Sequence, residues 1–101
     1  MTEPEKFGLS HQTISKLKSV FSQRSEIEKV ILYGSRAKGN YRPGSDIDLT
    51  LVAPKMNLSQ LLKLESEIDE LLLPYKVDLS LFHAIENEDL VKHIQRVGVK
   101  F

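Results

Sequence analysis

Apolar residues recur along this chain with two periods, and the switches between them mark its elements. Ile14, Leu17, Val20 and Phe21 fall at helical spacing. Ser10 stands where an N-cap belongs, and Leu9 is placed to staple onto Ile14. A first helix is therefore expected to start at Ser10 and fade between Ser22 and Ser25, after a loose arm over Met1 to Gly8. Val30, Ile31, Leu32 and Tyr33 form a short unbroken apolar run, which predicts a strand buried on both faces. Gly34 and Ser35 stop it, Ser35 to Lys38 has the makings of a helical turn, and Gly39 to Ser45, with Pro43-Gly44, is turn chemistry. From Asp46 the period is two. Asp46, Asp48 and Thr50 point one way and Ile47, Leu49 and Leu51 the other, giving a strand with a wet face and a core face. Asn57, with Gln60 three residues on, caps a long helix with the stripe Leu58, Leu61, Leu62, Leu64, Ile68, Leu71 and Leu72, which Pro74 ends. Tyr75 to Phe82 alternates again, with Val77, Leu79 and Leu81 toward the core and Asp78 and Ser80 opposite. Asn87 caps a last helix with Leu90, Val91, Ile94 and Val97 inward and Gly98 as its stop.

The predicted class is α+β, a small mixed sheet of three core strands flanked by helices in the order α-β-α-β-α-β-α. The loop from Gly34 to Ser45 is short enough to fold back, so the first two strands should be antiparallel neighbours. A helix from Asn57 to Leu73, about 25 Å long at roughly 1.5 Å per residue, carries the chain back across the sheet and makes the third strand parallel to the second. Gly34, Ser35, Asp46, Asp48 and Asp78 then meet at one sheet end, and the three aspartates share a face.

The 101 residues suffice for one domain, read as spanning residues 1–101. Lysine plus arginine equals aspartate plus glutamate at 14 each, so no global field recruits nucleic acid or an anionic membrane, and any electrostatic function is local. The absence of cysteine removes disulfides and thiolate metal sites. No apolar run is long enough to span a bilayer and the acidic start is unlike a signal peptide, so a cytoplasmic protein is expected.

Aspartates at i and i+2 on a strand hold their carboxylates side by side, an unfavourable arrangement without a cation between them. With Asp78 they make an oxygen-rich, thiolate-free set of the kind that Mg2+ or Mn2+ prefers. Two such ions could clamp the attacking and leaving oxygens of a displacement at phosphorus. Gly34 would let phosphate oxygens approach the backbone, and the Ser35 hydroxyl could donate to them. Arg36, Lys38 and Arg42 are either further phosphate contacts or ordinary loop charge. An Asp-x-Asp strand alone is commonly a solvated face, and Gly-Ser after a strand is commonly a turn; their conjunction with Asp78 at matching parity favours the site. His11, His83 and His93 show no metal-ligand spacing and are assigned surface or capping roles. Leu73 and the tail Val97 to Phe101 are expected to leave apolar surface for a partner.

The string Gly34-Ser35-Arg36-Ala37-Lys38-Gly39, then Ser45-Asp46-Ile47-Asp48-Leu49 and Val77-Asp78-Leu79, resembles the signature of the DNA polymerase β-like nucleotidyltransferases. It looks like their minimal nucleotidyltransferase branch, which includes MntA-type antitoxins of HEPN/MNT toxin-antitoxin pairs. The resemblance implies that Gly34 and Ser35 hold the terminal phosphates of ATP, that Asp46 and Asp48 ligate two Mg2+ ions, and that Asp78 ligates the one near the acceptor hydroxyl. It also implies a HEPN-domain toxin as partner and AMP transfer onto that protein. Larger relatives add helical domains to hold the acceptor, so a second protein, in a homo- or hetero-oligomer, is the expected supplier here. The alternatives are an antitoxin acting by contact alone and a transferase for a small molecule such as an aminoglycoside.

Overall fold

In the computed structural model, which describes residues 6–101, Ser10 caps the first helix through its side-chain oxygen, which accepts from the Thr13 amide. Helix α1 runs His11–Ser22 and buries Leu17 and Phe21. Strand β1 follows at Lys29–Tyr33, the short helix α2 at Ser35–Lys38 and strand β2 at Ile47–Val52. Asn57 and Gln60 form the expected capping box at the start of α3, Leu58–Asp69. Strand β3 is Val77–Leu81, succeeded by a 3-10 turn at Phe82–Ala84, and Asn87 caps α4, Glu88–Val97. A two-residue strand β4, Val99–Lys100, closes the order.

The sheet runs β3-β2-β1-β4. β1 pairs antiparallel with β2 and β4, and β2 pairs parallel with β3, as the loop and crossover lengths predict. Leu32, Leu49, Leu51, Leu79 and Leu81 fill one face against Leu17 and Phe21 of α1 and Leu61, Leu64 and Ile68 of α3, forming one core. A twelve-residue helix is marginal in water, so α3 depends on burying those three side chains, each worth about 1.5–3 kcal/mol, more than on its cap at about 1 kcal/mol. The other face of β1 meets α4, whose buried Ile94 stands outside that core.

Several expectations change. The arm over Met1 to Gly8 lies outside the described residues up to Glu5, but Lys6 to Gly8 are tied down: Lys6 bridges Leu9, and Phe7 packs on the core and stacks on Phe101 at 6.4 Å. The tail forms a fourth strand: the Phe101 amide donates to the Val30 carbonyl and the Phe101 ring packs on the core, while Val99 keeps the exposed apolar surface expected of it. Leu73 is likewise partly buried against that core. Helix α3 ends at Asp69 instead of Leu73, with Leu72 in a positive-φ turn at 87 % exposure. Its apolar stripe is narrower than expected, since Leu58 and Leu62 also face solvent. β1 is not uniformly buried: only Leu32 is fully covered.

Leu49→Ala should therefore lose about 2–5 kcal/mol in a urea titration. Leu58→Ser, on the exposed side of α3, should stay within about 0.5 kcal/mol of the parent.

Candidate active site

The register across the sheet sets the site. Tyr33 of β1 lies opposite Asp48 of β2, which lies beside Asp78 of β3, so the three share one row and one face. The next row on that face is Ile31, Thr50 and Ser80. Thr50 was expected on a wet face but is fully buried, its hydroxyl accepting from Ser80 Oγ at 2.9 Å. A layer of paired hydroxyls thus lies one row behind the carboxylates.

Where β1 ends, Gly34 takes φ 75° and ψ −155°, a conformation essentially confined to glycine. A Cβ there would collide with the Asp48 carboxylate, so the main chain before Ser35 lies directly against that side chain. Ser35 opens α2 and is partly exposed. Asp46, immediately before β2, and Asp78 are exposed, whereas Asp48 is half-buried. Burial pushes the Asp48 carboxyl above the ordinary aspartate value, Asp78 and Asp46 add to this by repulsion, and His93 and Arg36 offset part of it. Burial likewise raises the Tyr33 phenol; the Ser80 hydroxyl opposes the rise, and Asp48 and Asp78 reinforce it.

The three predicted aspartates are therefore electrostatic neighbours, but among the described residues no group of three or more His, Cys, Asp or Glu side chains converges as a metal-ligand set. The donor chemistry nonetheless suits a hard cation, because the repulsion that Asp78 and Asp46 exert on the Asp48 carboxylate is what such an ion relieves. Lys38 and Arg42 are exposed around the loop between α2 and β2.

Arg36 departs from the expectation of a phosphate contact. It is 2 % exposed, and its guanidinium donates to the Ser45 carbonyl through Nε at 3.1 Å and Nη2 at 2.8 Å. It also donates to the carbonyls of Phe7 at 2.8 Å and Pro43 at 3.4 Å. With most of its donors engaged by main chain, the side chain is a strut and not a phosphate ligand.

His93 is the site neighbour that sequence reasoning left on the surface. Helix α4 brings its ring edge-on to Tyr33 at 6.2 Å between centroids. The signal was its phase: His93 lies three residues after Leu90 and four before Val97, on the inward stripe.

The mixed sheet thus carries paired carboxylates at one end, with the Gly34-Ser35 turn packed against them. The chain belongs to the polymerase beta nucleotidyltransferase family, whose model matches residues 15–101. Among solved structures, it is similar to a toxin-antitoxin crystallised with AMP-PNP, at 22% identity and TM-score 0.69, over 91% of this chain and 72% of that one. A mutant MntA-HpeT toxin-antitoxin is similar at 18% identity and TM-score 0.66, over 91% and 71%. A nucleotidyltransferase described as putative, from Sulfolobus solfataricus, matches at 24% identity and TM-score 0.54, over 100% and 91%. A comparison with curated proteins gives no match.

Two outcomes are expected. Gly34→Ala should unsettle the turn and lower Tm, measured by calorimetry, because the added Cβ meets both the positive φ and the Asp48 carboxylate. Asp48→Asn should raise Tm at pH 7 without divalent ions: a raised native pKa means the native state binds the extra proton, so stability falls as pH climbs from about 4 through the raised value. The gain should disappear in melts below about pH 4.

Proposed function

We propose that the protein transfers a nucleoside monophosphate, AMP from ATP, to a hydroxyl of a partner protein, acting as the antitoxin of a HEPN-domain toxin. The observation that carries this reading is the shared row of Asp48 and Asp78 with Gly34 packed against Asp48, within a nucleotidyltransferase domain. Similarity to toxin-antitoxin structures, one holding AMP-PNP, supports the choice of partner and nucleotide.

In the reaction, the acceptor oxygen forms a bond to the α-phosphorus, the bond from that phosphorus to the bridging oxygen breaks, and pyrophosphate leaves. The acceptor proton passes to the Asp78 carboxylate, which is exposed at the row's outer strand. Gly34 gives the phosphates access to the main chain, and Ser35 donates to a phosphate oxygen, with Lys38 and Arg42 offsetting charge from the adjoining loop. Asp46, Asp48 and Asp78 would hold Mg2+ or Mn2+, which when bound neutralises the triphosphate and polarises its phosphorus. Tyr33, raised in pKa and half-buried, is a wall of the site rather than a nucleophile.

A second reading, neutralisation by contact alone, is favoured by the carboxylates not converging as a ligand group among the described residues. The two separate in one experiment. With Mg2+ and α-labelled ATP, the protein should label a partner captured from its native lysate, and Asp46→Asn with Asp48→Asn should abolish the label. Partner capture without labelling, undiminished in the double variant, would establish the contact reading.

A further inference from the structure

We infer that Arg36 is a positioning residue for Asp46, setting its direction through the Ser45 carbonyl; this rests on Asp46 belonging to the proposed site. The Ser45 carbonyl belongs to the same planar peptide as the Asp46 amide. Two guanidinium donors fix that oxygen, at 3.1 and 2.8 Å. On the other side of Asp46, the Ile47 amide donates to the Lys76 carbonyl at 2.9 Å. Both peptide planes flanking the Asp46 α-carbon are therefore held, which leaves its backbone angles little freedom, although the side chain itself is exposed.

The strut is itself held. The rings of Tyr41 and Tyr75 lie 5.3 and 4.9 Å from the guanidinium carbon, a cation-π arrangement that the planar, weakly hydrated arginine group suits better than an ammonium does. Tyr41 packs against Gly8, where a Cβ would strike its ring, and the Phe7 carbonyl takes the Nη1 donor. One buried side chain thus joins the segment before α1, the loop before β2 and helix α2. A lysine can supply the charge but neither the fork nor the plane.

The test uses the full chain and two readouts. In Arg36→Lys, amide hydrogen exchange at Ser45 and Ile47 should accelerate about tenfold while Leu32 and Leu49 in the sheet stay as in the parent. The Mg2+-dependent gain in affinity for a non-hydrolysable ATP analogue should fall about tenfold or more, as for outer-shell partners of metal ligands. Combined with Asp46→Asn, Arg36→Lys should add no further loss, because both act through one carboxylate. Unchanged exchange at Ser45 and Ile47, or additive losses, would overturn the inference. Should Arg36→Lys fail to fold, Tyr41→Leu, which removes one ring and keeps the guanidinium, takes its place with the same readouts. If the parent shows no Mg2+-dependent gain, the proposed function falls, and exchange alone decides the role of Arg36.

Discussion

At the end of β1 the main chain at Gly34 lies against the Asp48 carboxylate, in a conformation that a residue with a Cβ resists and in a space that a Cβ would fill. The juxtaposition follows from the antiparallel register, which sets Tyr33 opposite Asp48 and leaves the next residue to turn under its side chain. Every proposed part of the site is placed by it. Ser35 opens α2 from that turn, the loop from Gly39 returns to Asp46, and the parallel β3 adds Asp78 beside Asp48.

The arrangement is stabilised from behind and strained in front. One face of the sheet is an aliphatic core with α1 and α3, strong enough to fix the register. The opposite face carries a half-buried carboxylate pushed toward protonation by burial and by two like charges. Hydroxyls of Thr50 and Ser80 pair one row away, and Tyr33 and His93 cover the β1 side. Such local conflict within a consistent fold is the pattern expected of a functional site, where charge is assembled for a ligand at the expense of the free protein.

The strand periods, the two asparagine caps and the crossover lengths carried most of the fold, because each is a local signal that tertiary packing reinforced. The shared row of Asp48 and Asp78 followed from strand direction and parity alone, with Asp46 left exposed just before β2. What escaped were features decided by distant partners. β4 is only two residues long and exists by pairing with Ile31 and Leu32. Phe7 belongs to the core because Phe101 offers it a ring and Arg36 takes its carbonyl. Arg36 reads in sequence as one of three loop cations, and only the tertiary structure separates it, as a buried strut, from exposed Lys38 and Arg42. His93 looked unattached for the same reason: its partner Tyr33 lies on the first strand of the sheet.

On the proposed function, this sheet end holds a nucleoside triphosphate through the Gly34-Ser35 turn and a divalent ion through the aspartates. The most direct measurement is an anomalous difference map from crystals grown with Mn2+ and a non-hydrolysable ATP analogue. The expected result is a Mn2+ peak bounded by Asp46 and Asp48, with the terminal phosphates against Gly34 and Ser35. Nucleotide density elsewhere, or phosphates at Gly34 with the Mn2+ peak away from both aspartates, would contradict it.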